Sequence, residues 1–139
     1  MLGREDGAPP PVDLELERRA GDLVRGLIVA DEIKVVHDLS DGGLIVAAAE
    51  MALASGIGLT LDATSQAHAH PFLFGEDQGR YLIATSNPQG VLAAAASAEV
   101  HASVVGQAGG EAFASKGLFS IPLSRLREAN EGWMPQWMA

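Results

Sequence analysis

The chain carries the run His37-Asp38-Leu39-Ser40-Asp41-Gly42-Gly43-Leu44 between two apolar segments. The segment before it, residues 33–36, is rich in β-branched side chains and predicts a strand. The segment after it, residues 44–54, is apolar on nearly every side and predicts a helix buried between layers, with Gly56 as its stop. A polar turn with two glycines therefore joins a strand to the start of a buried helix.

Two interpretations of this turn stay open. Ser40 or Asp41 is typical of a helix N-cap, and glycines are typical of a tight turn. Alternatively, the turn is a ligand-binding or interface site, because N–H groups at a helix start attract anions and the glycines let a ligand or another backbone approach closely. The candidate residues of this turn are His37, Asp38, Ser40, Asp41, Gly42 and Gly43.

A second polar run, Gly75-Glu76-Asp77-Gln78-Gly79-Arg80, directly precedes a predicted strand at residues 81–85. Its simplest interpretation is a charged loop in which Arg80 pairs with Glu76 or Asp77. The alternative is a ligand-facing site formed by Glu76, Asp77, Gln78 and Arg80. If the two runs serve one site, we expect their loops to open on the same edge of the domain.

Composition limits the classes of function. The chain has 139 residues, which is the size of one domain, and its net charge of −9 disfavours binding to nucleic acid. It has no cysteine and no apolar leader after Met1, so we expect a cytoplasmic protein. Residues 44–54 are too few to cross a bilayer and include Glu50, so no membrane association is expected.

The remaining pattern predicts a mixed α/β sandwich. Helices are expected at residues 13–30 and 88–98 and from Ser124 onwards, with strands at 57–61, 101–105, 111–114 and 118–121. Trp133 and Trp137 are expected to pack the C-terminal tail onto the body. The predicted core contains Leu23, Leu27, Val35, Val46, Met51, Leu53, Leu82, Ile83 and Val104.

The start of the chain has a different character. Residues 1–11 contain Pro9-Pro10-Pro11 and predict an extended linker, so the domain is expected at residues 12–139.

No glycine-rich phosphate-binding motif is present. No metal site is predicted either, because His68 and His70 lack a third ligand nearby.

The two polar runs together resemble a known family. His37–Leu44, the following Ala49-Glu50-Met51-Ala52 and the later Leu73-Phe74-Gly75-Glu76-Asp77-Gln78-Gly79-Arg80-Tyr81 are similar to the large (synthetase) subunit of phosphoribosylformylglycinamidine synthase. Within that subunit the similarity is to the C-terminal domain of the second half. Residues 3–14 resemble the entry into that domain, and residues 131–135 resemble its end.

This resemblance implies a fold and an activity. The fold is a three-layer α/β/α sandwich with a mixed sheet, like the C-terminal domain of aminoimidazole ribonucleotide synthetase. The full-length enzyme is a ligase of purine biosynthesis that uses ATP, Mg²⁺ and glutamine-derived ammonia to convert formylglycinamide ribonucleotide (FGAR) into formylglycinamidine ribonucleotide. This domain is expected to be inactive alone, to contribute no catalytic residue and to hold no tightly bound cofactor.

The resemblance also implies partners and a place for the second run. The partners are the other domains of the synthetase, a glutaminase subunit, and a small accessory subunit or fused domain. Glu76-Asp77-Gln78 matches a Glu-Ser-Gln run that contacts substrate in the first half, and the second half faces an auxiliary nucleotide site. The rival hypothesis is a stand-alone nucleotide-binding or assembly module of the same superfamily, related to selenophosphate or thiamin-phosphate kinases.

Overall fold

The structure is a computed structural model that describes residues 12–62 and 69–138, and the predicted linker at residues 1–11 lies outside them. The helices are α1 (Leu14–Val29), α2 (Gly43–Ser55), α3 (Ala69–Phe74), α4 (Pro88–Ser97), α5 (Leu123–Glu131) and α6 (Trp133–Met138). The strands are β1 (Val35–Asp38), β2 (Leu59–Leu61), β3 (Tyr81–Ala84), β4 (Gly106–Ala108), β5 (Ala112–Ser115) and β6 (Phe119–Pro122). In the described ranges, no helix is long and apolar enough to cross a membrane.

The strands form two sheets. β1 and β3 pair antiparallel as a two-stranded ribbon, and the other four strands form a sheet in the order β4-β2-β5-β6. In that sheet β2 and β5 run parallel, whereas the other neighbours are antiparallel. The mixed α/β class with a mixed sheet is therefore confirmed, while the division into two sheets was not predicted.

Helix α2 lies at the centre of the fold. Its residues Leu44, Ala48 and Ala52 are buried in one core with Leu61 of β2 and Phe113 of β5. The helix also contacts β1 and β3, so it packs between the ribbon and the four-stranded sheet. Small alanines allow this close packing on several sides. The prediction of a buried helix at residues 44–54 is confirmed.

A second core lies between the ribbon and the two helices α1 and α4. Val24 and Leu27 of α1 are buried there, with Val36 and Ile83 of the ribbon packed against them. Helix α1 begins as its sequence predicts, because the Asp13 carboxylate accepts hydrogen bonds from the first-turn N–H groups. The ribbon is therefore covered by α1 and α4 on one face and by α2 on the other.

Several predicted core residues are not buried. Leu27 is buried, but Val35, Val46 and Val104 are exposed, so these three assignments are wrong. Val35 is the first residue of the ribbon strand β1, and Val104 precedes β4 instead of lying in a strand. Val46 lies in α2 but is 38% exposed. The other predicted members, Leu23, Met51, Leu53, Leu82 and Ile83, are half-buried.

The main differences from the predicted elements are four. The first strand begins at Val35 because Ile33 is buried against α1 as a loop residue. The predicted strand at 101–105 is wrong, since pairing with β2 places the strand at Gly106–Ala108. Helix α3 was not predicted. The tail prediction is also wrong, because Trp133 and Trp137 stack on each other along α6 and remain exposed.

Candidate functional site

The two polar runs meet at one edge of the ribbon. In the antiparallel register Asp38, the last residue of β1, faces Tyr81, the first residue of β3. The Leu39 N–H group extends this pairing by donating to the Arg80 carbonyl at 2.9 Å. We call residues 37–43 and 75–80 together the polar edge. The structure therefore brings the two candidate loops side by side.

A side chain of the second run caps the helix that follows the first run. The Gly42 N–H donates to Oε1 of Glu76 at 2.8 Å, across 34 residues of sequence. Gly42 is the N-cap of α2, so the interpretation of Ser40 or Asp41 as the cap is wrong. Instead, the Ser40 hydroxyl donates to Oδ2 of Asp38 at 3.0 Å. The Glu76 carboxylate thus occupies the positive end of the α2 dipole.

The glycines of the turn serve a backbone-to-backbone contact. Gly43 has a φ of 67°, and a Cβ built on it would lie 2.6 Å from the Gly75 carbonyl oxygen and 2.8 Å from the Phe74 carbonyl carbon. Real Cβ atoms do not approach backbone so closely. The sequence left open whether a ligand or another backbone approaches the glycines, and at Gly43 the approaching group is the second loop of this chain.

His37 is held on both sides of its ring. Its Nε2 lies 3.0 Å from Oε2 of Glu50 on α2, and its Nδ1 lies 2.6 Å from the Asp38 carbonyl oxygen. Both ring nitrogens therefore face acceptors within this chain, and the ring ties β1 to α2. Since neither nitrogen is open to a substrate, we assign His37 no role as a base.

Arg80 pairs within its own loop, which is the simpler of the two interpretations of this run. Its Nη1 donates to the Gly75 carbonyl at 3.2 Å and to Oδ2 of Asp77 at 3.3 Å, so the guanidinium closes its own loop. The predicted pairing with Asp77 is confirmed. Only about 29% of the Arg80 side chain is exposed, which leaves little of it for an external partner.

Sequence reasoning missed two residues at the polar edge. Glu50 binds His37, and Glu17 of α1 packs its Cγ against Gly79, 2.8 Å from where a Cβ would stand. Glu17 is half-buried in the structure. Both contacts are long-range, so the local sequence pattern carries no signal for them.

The remaining side chains of the polar edge face solvent. Asp38, Asp41, Asp77 and Gln78 are exposed, and neither Asp41 nor Gln78 has a partner within residues 12–62 and 69–138. The polar edge carries four carboxylates, Asp38, Asp41, Glu76 and Asp77, against the one cation Arg80, so this surface is acidic. It suits contact with cationic or N–H donor groups and repels a bare phosphate.

The edge does not form a metal centre by itself. Among the described residues, no group of three or more His, Cys, Asp or Glu side chains is placed to hold a metal ion. His68 lies outside those residues, and the ring of His70 packs beside Phe74 at 5.2 Å between centroids.

Comparison with known proteins identifies the family. The family described as AIR synthase related protein, C-terminal domain, matches residues 1–115, which is most of the chain. The chain belongs to this family. The polar edge and the buried helix α2 both lie within the matched residues.

Curated relatives that this chain matches are far longer than the chain itself. It is 67% identical over 139 residues to phosphoribosylformylglycinamidine synthase subunit PurL of Caulobacter vibrioides, and 50% identical over 142 residues to the same subunit of Rhodospirillum rubrum. In each case the match covers the whole chain but only 19% of the relative. The chain thus spans about a fifth of the length of these relatives.

Solved structures share the fold. PurL of Thermotoga maritima complexed with ATP matches with a TM-score of 0.74 at 16% identity, covering 87% of this chain and 23% of that one. The PurLQS structure from the same organism matches with a TM-score of 0.73 at 15% identity, covering 83% and 22%. At such low identity these matches show a shared fold and nothing further.

Proposed function

We propose that this chain is the C-terminal domain of the second half of a phosphoribosylformylglycinamidine synthase large subunit. The complete enzyme converts FGAR, ATP and glutamine-derived ammonia into formylglycinamidine ribonucleotide, ADP and phosphate. The observation that carries the proposal is the 67% identity to a PurL subunit over all 139 residues. The domain completes the ligase and does not catalyse the reaction alone.

The polar edge is the surface that faces the rest of the enzyme. Its internal bonds occupy Glu76, His37 and Arg80, and this supports a rigid junction whose outward groups are Asp38, Asp41 and Gln78. An acidic surface of this kind favours contact with cationic side chains or a magnesium-bound nucleotide over contact with a bare phosphate. The edge therefore positions the neighbouring domain beside the auxiliary nucleotide site.

Cofactors and partners follow from the same proposal. ATP and Mg²⁺ act in the full-length enzyme, and neither is expected to bind tightly to this chain alone. The partners are the other domains of the synthetase, a glutaminase subunit, and a small accessory subunit or fused domain. We also propose a cytoplasmic location, because purine biosynthesis takes place there.

The test uses the full-length polypeptide that contains this sequence. Asp38→Ala is expected to lower kcat/KM for ammonia-dependent ADP formation by at least about tenfold. The melting temperature is expected to stay nearly unchanged, because Asp38 is exposed, Ser40 donates to it at the surface, and His37 Nδ1 comes no closer than 3.8 Å to its Oδ1. The matched control is Glu32→Ala, since Glu32 is exposed near the opposite end of β1.

The outcomes separate the alternatives. A selective loss of activity in Asp38→Ala supports a functional edge. Wild-type activity in both variants would show that the edge is only a structural junction. Tight binding of nucleotide by the 139-residue chain alone would favour the stand-alone module related to selenophosphate or thiamin-phosphate kinases.

A further inference from the structure

A series of contacts joins helix α2 to the first loop of the polar edge. Oε2 of Glu50 on α2 lies 3.0 Å from Nε2 of His37, and Nδ1 of the same ring lies 2.6 Å from the Asp38 carbonyl oxygen. A carbonyl oxygen and an ionised carboxylate can only accept hydrogen bonds, so this arrangement is complete when both ring nitrogens carry hydrogen. The His37 ring therefore links the side chain of Glu50 to the backbone of Asp38.

The peptide group between Asp38 and Leu39 is held at both of its polar atoms. Its carbonyl oxygen faces Nδ1 of His37, and its N–H group donates to the Arg80 carbonyl at 2.9 Å. The first contact ties the peptide group to α2 through Glu50, and the second ties it to the other loop of the polar edge. The backbone that carries the Asp38 side chain is therefore fixed between α2 and that loop.

The Asp38 carboxylate is held from two sides as well. The Ser40 hydroxyl donates to its Oδ2 at 3.0 Å, and Nδ1 of His37 lies 3.8 Å from its Oδ1. With hydrogen on both nitrogens the ring is positively charged, and at this distance it attracts the carboxylate. The orientation of the Asp38 carboxylate thus depends on the position of the His37 ring.

Glu50 is the one residue of α2 that can hold this ring. Val36 packs against the core beneath α1 and α4, so its neighbour His37 points to the opposite face of the ribbon, towards α2. Among the residues of α2, Glu50 alone has an ionisable side chain, and in β3 Tyr81 alone does. Tyr81 stands opposite Asp38 in the register, whereas His37 stands opposite Leu82.

We propose that Glu50 is a positioning residue for the reaction of the full-length ligase and acts on Asp38 through His37. This rests on the proposed function of the polar edge, in which the Asp38 carboxylate faces a cationic side chain or a magnesium-bound nucleotide. Without the Glu50 carboxylate, Nε2 of His37 loses its acceptor and the ring is free to turn. The Asp38 carboxylate then loses its fixed orientation, and displacements on the order of 1 Å are enough to slow a reaction.

The experiment measures ammonia-dependent ADP formation by the full-length polypeptide that contains this sequence. Glu50→Ala is expected to lower kcat/KM by at least about threefold, and Asp38→Ala by at least about tenfold. If Glu50 acts only through Asp38, the double variant stays within about twofold of Asp38→Ala, whereas independent effects multiply to about 30-fold. The melting temperature of Glu50→Ala should stay nearly unchanged, because a single partly exposed ion pair adds little stability.

Two further variants distinguish positioning from a general loosening of the fold. Glu50→Gln keeps an oxygen that can accept from Nε2 of His37, so it should recover most of the kcat/KM that Glu50→Ala loses. Glu99→Ala removes a carboxylate that pairs with Arg19 of α1 at 2.8 Å, on the other side of the ribbon, and should leave kcat/KM unchanged.

The outcomes separate this proposal from the one on which it rests. Wild-type activity in Asp38→Ala refutes the functional edge and the role of Glu50 together. Loss of activity in Asp38→Ala with wild-type activity in Glu50→Ala overturns the role of Glu50 alone. So do losses that multiply in the double variant, no recovery in Glu50→Gln, or an equal loss in Glu99→Ala.

Discussion

The contact between the two loops of the polar edge makes a sharp prediction about Gly43. Gly43→Ala places a methyl group 2.6 Å from the Gly75 carbonyl oxygen, at a residue whose φ is 67°. The obstacle is the backbone of Phe74 and Gly75, so no side chain can rotate away to relieve the clash. We therefore expect Gly43→Ala to force the polar edge apart.

The magnitude follows from two contributions. An L-residue in the left-handed region costs about 1–2 kcal/mol, and a methyl group forced into a packed site costs about 1–3 kcal/mol more. Gly43→Ala should therefore lower the free energy of unfolding by about 2–5 kcal/mol. In a chain of this length each kcal/mol corresponds to roughly 3–6 °C in Tm.

Gly56 offers a matched control on the same helix. It has a φ of 68°, almost equal to that of Gly43, but a Cβ there would meet no atom within 4 Å. Gly56→Ala should therefore show only the conformational cost of about 1–2 kcal/mol. Urea unfolding followed by far-ultraviolet circular dichroism measures both variants. Equal losses in the two variants would refute the close contact between the loops.

Three further predictions concern single contacts. Glu76→Ala should lower the free energy of unfolding in urea by about 1–2 kcal/mol, because the Gly42 N–H loses its acceptor. Glu76→Gln keeps an oxygen that can accept this bond and should lower the free energy of unfolding less. Equal losses in the two variants would argue against the bond. Arg18 holds the pKa of the Glu15 carboxyl below its usual range by hydrogen bonding and charge. The pair therefore stabilises the fold when the pH is above the pKa that Glu15 has in the unfolded chain. This contribution is lost as the pH falls through the pKa that Glu15 has in the folded chain. An NMR titration should find the Glu15 pKa returning upward in Arg18→Gln, and no change would contradict the assignment. Leu61→Ala should cost about 2–5 kcal/mol, since Leu61 is 1% exposed, and a loss below about 1 kcal/mol would contradict its place in the core.

Local sequence patterns predicted α1 and α2 well. The 3.6-residue apolar spacing predicts a helix at residues 13–30, and α1 spans Leu14–Val29. The apolar run that begins at Leu44 likewise predicts α2, because an all-round apolar helix of this length has to be buried. These features depend on neighbours within four residues, so the sequence alone contains them.

Long-range pairing set the features that the sequence did not predict. Ile33 belongs to an apolar run that resembles a strand, but packing against α1 makes it a buried loop residue. Strand β4 begins only at Gly106 because pairing with Thr60 and its neighbours in β2 fixes the register. No side-chain pattern near residue 106 signals that pairing.

In the candidate site, too, the local features were predicted from the sequence and the long-range contacts were not. Both polar runs were recognised from their residues, and their shared edge follows from the antiparallel pairing of the strands beside them. The cap on α2 was assigned wrongly because its acceptor, Glu76, comes from 34 residues away. Glu50 and Glu17 were missed for the same reason. Whether the exposed residues of the edge act in the ligase stays a prediction.

The most direct test of the account compares ADP formation by the 139-residue chain with that of the longer polypeptide containing it. Both are supplied with ATP, Mg²⁺, ammonia and FGAR under the same conditions. The account predicts turnover by the long polypeptide and none by the short chain, whose circular dichroism should still show a folded domain. Turnover by the short chain at a comparable rate would contradict it, as would failure of the long polypeptide to form formylglycinamidine ribonucleotide.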